Sequence, residues 1–169
     1  MEKISNIQET EKKLLSELQK FVSRIYNLSD RPISSTGEGV ATLRKIRQEV
    51  YEDLNQIMHE SLILEGLKWL NADVLKDEKI EWFWNPRQTG DYREPDLRGV
   101  LNGEIVISAE ASASEKPQGV IDSRMRDTLM KLNAMPGKKF YFARTDAMTQ
   151  RARTKVLNNG LSIEVKKLS

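Results

Sequence analysis

The sequence predicts an α+β domain: a mixed sheet of about four to five strands, helices packed on it, and a helical N-terminal extension. Three observations carry this. Apolar residues recur at helical spacing over most of the first seventy positions. The pattern then switches to short alternating or aromatic runs separated by turn signals. Past the midpoint the two periods alternate, as expected when helices cover a sheet.

Residues 1–28 read as a helix because Leu14, Leu15, Leu18, Phe21, Val22 and Ile25 follow helical spacing between charged residues. The turn-rich stretch from Asp30-Arg31-Pro32 to Gly39 ends it. A second helical segment runs over roughly 40–71, and Asn71, Asp73 and Asp77 mark a loop. Ile80-Glu81-Trp82-Phe83-Trp84 is aromatic and β-prone, with Gln88-Thr89-Gly90-Asp91 as loop after it. Trp69, Trp82 and Trp84 are expected in the core or on a sheet face. Asp96–Leu101 and Glu104–Ser112 form a hairpin about Asn102-Gly103, a pair that tolerates the positive φ of a two-residue turn. Ile121–Ala134 is amphipathic, and Lys139–Ala143 reads as a strand. Asp146 is placed to cap a helix to Leu157, and Leu161–Leu168 alternates as an edge strand with exposed lysines. The division is 1–36, helix and linker, and 37–169, the core.

Composition excludes several chemistries. With no cysteine, disulfides, thiolate nucleophiles and cysteine-bound metals are ruled out. The single histidine, His59, builds no histidine cluster and no hydrolase triad, so a metal would need oxygen ligands. As a lone helical histidine it is expected to pack or face solvent rather than act as an acid–base group. Gly37-Glu38-Gly39 lacks the ending of a phosphate-binding loop. No run of about 18 apolar residues is present, so no membrane partner is expected. Met1–Asn6 begins no apolar signal region, which predicts a cytoplasmic protein.

The net charge of +2 conceals an asymmetry. Residues 116–169 carry twelve Lys and Arg against four acids, +8, leaving −6 for the rest. A basic half points to a polyanionic partner, nucleic acid foremost. Arg124, Arg126, Lys131, Arg151, Arg153 and Lys155 are the candidate phosphate contacts.

The chemistry concentrates at Pro95-Asp96 and Glu110-Ala111-Ser112. Alternation puts Val106, Ser108, Glu110 and Ser112 on one face of their strand. Pairing about Asn102-Gly103 brings Asp96 roughly level with position 109, so the two carboxylates meet at one rim, with the Ala111 carbonyl as a third oxygen. Such a set suits Mg²⁺ or Mn²⁺. Glu60 sits among Ile57, Leu64 and Leu67 on an apolar stripe, where a carboxylate needs a partner; Glu65 is the fallback.

These residues, thirteen positions between the carboxylates, and the helix-β-β-β-helix-β order of about residues 50–145 resemble the PD-(D/E)xK nuclease superfamily. The resemblance implies a restriction-endonuclease-like αβββαβ core, Mg²⁺ held by Asp96, Glu110 and the Ala111 carbonyl, and metal-assisted phosphodiester hydrolysis of nucleic acid, DNA in the first place. Glu60 would be the added acidic residue of the preceding helix. Ser112 departs from the pattern, which usually has lysine there; Lys116, Lys131 and Arg124 are the cations near enough in sequence to replace it. The alternative is a degenerate module on the same fold that binds nucleic acid or a protein without cutting. The N-terminal helices offer a surface for a homodimer, an arrangement common in that superfamily.

Overall fold

A computed structural model describes residues 1–30, 32–75, 79–86 and 93–168. The loop assignments at Arg31, Asp77 and Gln88–Asp91 lie outside the described residues. Elements run β1 (Glu2–Ile4), α1 (Ile7–Ser29), α2 (Thr36–Trp69, continued by a π-helical turn Leu70–Val74), β2 (Glu81–Trp84), β3 (Leu97–Leu101), β4 (Glu104–Ser112), α3 (Val120–Asn133), β5 (Lys138–Ala143), α4 (Asp146–Asn158) and β6 (Glu164–Lys167). Among the described residues the architecture is mixed α+β, with four α-helices on one open six-stranded sheet of order β1-β2-β3-β4-β5-β6.

The first four strands are antiparallel neighbours, and β5 and β6 add in parallel through α3 and α4. Three expectations need correction. The chain opens with a strand, not a helix: Glu2–Ile4 pairs with Trp82–Trp84, and α1 starts at Ile7 with Asn6 as its side-chain cap. The sheet therefore has six strands rather than four or five. A helical signal in the later residues masked a three-residue edge strand too short to show its own period. The cap of α4 is also Thr145, whose hydroxyl accepts from the Met148 N–H, while Asp146 is the first helical residue.

Two apolar layers enclose the sheet. On one face α1 and α2 supply Leu14, Phe21, Leu62, Ile63 and Leu67 against Trp82, Leu97, Ile107, Ala109, Phe140 and Phe142. On the other, Met125, Leu129 and Leu132 of α3 and Met148 and Ala152 of α4 cover Tyr141, Ala143 and Val165. Gly66 lets α2 lie close to the sheet, since a Cβ there would stand 2.3 Å from the Phe142 ring.

The hairpin register differs by one residue from simple pairing about the turn. Asn102 and Gly103 do adopt positive φ, 52° and 83°. A bulge between Gly99 and Val100 then shifts the ladder, so Leu97 pairs with Ala109. Asp96, one residue before β3, thus comes level with Glu110 instead of Ala109. Cross-strand partners share a face, and a one-residue slip would reverse it. The bulge is what places both carboxylates together. Gly137, at φ +77°, lies against this bulge; a Cβ there would meet the Val106 carbonyl carbon at 2.4 Å.

Candidate functional site

The site forms at the end of the β3–β4 pair, where both helical layers reach the sheet rim. Asp96 and Glu110 are both buried. The Ala111 N–H donates to Asp96 Oδ2 at 2.8 Å. His59, one turn inside the buried stretch of α2, brings Nε2 to 3.1 Å from the same oxygen. From the opposite layer, Lys131 in the last turn of α3 places Nζ 2.5 Å from Glu110 Oε1.

Electrostatics set the protonation of this cluster. Burial raises the Glu110 carboxyl, the Asp96 charge raises it further, and Lys131 only partly offsets them, leaving it pushed up to about 8. Burial would also raise Asp96, but the His59 hydrogen bond, the His59 charge, the Ala111 N–H and Lys131 hold it below the usual carboxylate range. An ionised Asp96 only accepts, so His59 Nε2–H is the donor. Burial alone would lower His59, yet the Asp96 hydrogen bond and the charges of Asp96 and Glu110 raise it above its ordinary value. Tyr141, opposite Glu110 on parallel β5, is pushed up to about 12 by burial, against the opposing effect of its Ser112 hydrogen bond.

A cleft of about 150 Å³ opens onto Asp96, Glu110, Ala111, Ser112, Arg124 and Tyr141. A wider recess continues from Ser112 and Arg124 past His59 to Asn55 and Tyr51 on α2. His59 Nδ1 is buried with no hydrogen-bond partner among the described residues.

The predicted residues divide. Asp96, Glu110, Ala111, Ser112, Lys131 and Arg124 come together here. Glu60 is buried as expected of its stripe, but it lines a different recess, with Lys13, Leu14, Glu17 and Trp84. The α2 side chain that meets Asp96 is its neighbour His59. Glu65 is engaged by Arg144 at 2.8 and 3.1 Å. Lys116 is exposed on the loop after β4.

The basic half is less open than its count implies. Arg151 and Lys155 both bind Asp122, at 2.7, 3.0 and 3.1 Å, and the Arg151 and Lys155 hydrogen bonds hold its carboxyl well below the carboxylate range. Arg153 donates to the Val165 carbonyl, and Arg126 lies 3.6 Å from Asp127. Ion pairing between α3 and α4, invisible in a charge count, engages Arg151 and Lys155.

Sequence reasoning missed His59 and Tyr141 as site residues. His59 was discounted as a lone histidine. Tyr141 was legible only through the parallel register Glu110↔Tyr141, which follows from the β4-α3-β5 crossover.

No family model, curated protein or solved structure matches this chain. The nuclease resemblance therefore rests on the residues and the element order alone. No helix among the described residues is long and apolar enough to cross a membrane.

Proposed function

We propose that this chain is a metal-dependent nuclease of the PD-(D/E)xK kind, with a restriction-endonuclease-like core and with Lys131 in the role usually filled by the motif lysine. The observation that carries this is the Lys131–Glu110 contact at 2.5 Å. Ser112 brings no charge to β4, and α3 supplies one from across the cleft.

The donor set fits Mg²⁺. Burial and the neighbouring Asp96 charge oppose ionisation of Glu110, a cost that a bound cation would offset. An extended strand directs a residue's N–H and C=O to the same edge, so the Ala111 carbonyl lies on the Asp96 side as well. Among the described residues no three His, Asp or Glu side chains group as a metal cage. Mg²⁺ does not require one, because it is commonly held by one or two carboxylates, its own waters and substrate phosphates.

Asp96, Glu110 and the Ala111 carbonyl would hold the ion, which would supply an activated water and neutralise phosphate charge. Lys131 stabilises the charge that develops on the phosphorane-like transition state. His59 orients Asp96 through its Nε2–H. Arg124 lines the cleft and would meet the phosphate backbone. DNA is the substrate we favour.

A second reading has its own support. His59 and Lys131 already engage both carboxylates, as in a binding module on the same scaffold that does not cut. Plasmid and single-stranded DNA incubated with Mg²⁺ or Mn²⁺ separates the two. Cutting by wild type, lost in Asp96→Ala and Glu110→Ala, supports the nuclease. Salt-sensitive binding with no cutting supports the module.

A further inference from the structure

Of thirteen large apolar side chains left exposed among the described residues, nine fall between Leu15 and Leu54, on the α1–α2 hairpin. They are not scattered. On α1, Leu15, Leu18, Val22 and Tyr26 recur at spacings of three and four, one row along the helix. On α2 a second row runs through Val40, Leu43, Tyr51 and Leu54. Arg24 binds Asp53 at 2.8 Å along one edge of the hairpin. Helical spacing puts both exposed rows on the opposite edge, where they merge into one apolar face.

The hairpin is also thin where this face lies. No α2 residue from Thr36 to Glu49 is buried. A helical stretch with so little burial of its own gains stability from further packing.

The α2 row is self-complementary when reversed. Its positions Val40, Leu43, Arg47, Tyr51, Leu54 and Met58 have nearly the same spacing read in either direction. Arg44 and Arg47 precede Glu52 across a shallow groove that also contains Gln48 and Tyr51. A twofold axis between Gln48 and Glu49 therefore sets Leu43 against the partner's Leu54, Arg47 against the partner's Tyr51, and Arg44 beside the partner's Glu52. An isologous interface demands this reciprocity, and Arg over Tyr is a favourable cation–π contact. We propose that the exposed face of the α1–α2 hairpin docks against a second copy of this chain, with α2 antiparallel to its twin about Gln48. The proposal is independent of whether the Asp96–Glu110 site cuts nucleic acid.

Sedimentation equilibrium of the full chain tests it, with circular dichroism reporting folding. Wild type is expected at twice the 19.4 kDa chain mass, and Leu43→Glu/Leu54→Glu as a folded monomer. Arg44→Glu weakens association at least about tenfold, which is roughly 1.4 kcal/mol, and Arg44→Glu/Glu52→Arg restores it. Because the chain has no cysteine, Gln48→Cys adds a single thiol. Because position 48 lies beside the contact row, a short flexible bismaleimide should couple two chains through Gln48→Cys and not through Asn159→Cys. A folded wild-type monomer overturns the proposal, as does a dimer that neither the double substitution nor the Gln48→Cys probe touches.

Discussion

Lys131 and Glu110 meet at 2.5 Å at the sheet rim, one from α3 and the other from the strand face that α3 covers. Glu110 projects from the β4 face that α3 covers, and Lys131 closes on it from the final turn of that helix. The contact gives a buried carboxylate the cation it needs, and it delivers positive charge to a cleft whose strand carries Ser112 instead of lysine.

If the chain is the nuclease proposed, Lys131→Ala should lower Mg²⁺-dependent cleavage of supercoiled plasmid by about two to three orders of magnitude, the range found when a preorganised electrostatic donor is removed. Lys131→Arg should retain part of the rate, and both variants should remain folded. Equal rates for wild type and Lys131→Ala would remove Lys131 from the mechanism. Restoring lysine at the motif position, Ser112→Lys in the Lys131→Ala background, should recover activity.

The His59–Asp96 pair predicts a pH window for stability. His59 is raised in the folded state, so its contribution is complete below the ordinary imidazole value and fades as pH rises through the raised one. Asp96 is depressed, so its contribution is present above the ordinary carboxylate value and fades as pH falls through the depressed one. The pair therefore stabilises most between the two. His59→Ala, which leaves a buried carboxylate without its imidazole, should cost on the order of 3 kcal/mol in that window. Urea midpoints across the pH range should show the difference narrowing at both ends.

Glu110 predicts the opposite slope. Its carboxyl is pushed up to about 8, so the folded protein binds a proton that the unfolded chain releases at the ordinary glutamate value. In metal-free buffer wild type should lose stability as pH rises between those values. Glu110→Gln, which cannot ionise, should lose less, and the gap should reach a few kcal/mol above pH of about 8. Parallel pH profiles for the two proteins would show that Glu110 ionises without cost.

Much of this site was legible in the sequence, and the reasons for the rest are local. Asp96, Glu110 and the hairpin between them follow from Asn102-Gly103 and strand alternation. The bulge at Gly99/Val100 does not, because it belongs to the tertiary packing around Gly99, where a Cβ would meet Trp82, Ile80 and Ile107. The cation on α3 was one of three candidates, since sequence spacing cannot say which turn of a helix faces a strand end. On α2, Glu60 and His59 are adjacent, and a helix turns them about 100° apart. Only the crossing of α2 over the sheet decides that His59 faces Asp96. That crossing depends on Gly66.

Gly66→Ala therefore tests how the fold holds the site. The added methyl would stand 2.3 Å from the Phe142 ring, in the layer where Phe142 stacks on Phe140 and both meet the edge of Trp69. Overpacking of this kind costs about 1–3 kcal/mol. The helix must lift from β5 or the ring must turn, and lifting α2 lengthens the His59–Asp96 hydrogen bond. Gly66→Ala should lower the urea midpoint and also flatten the pH dependence ascribed to His59. Gly66→Ala/Phe142→Leu, which removes the obstructing ring, should restore the pH dependence more fully than the midpoint. A loss of stability with the His59 profile unchanged would mean that the ring yields and α2 stays where it is.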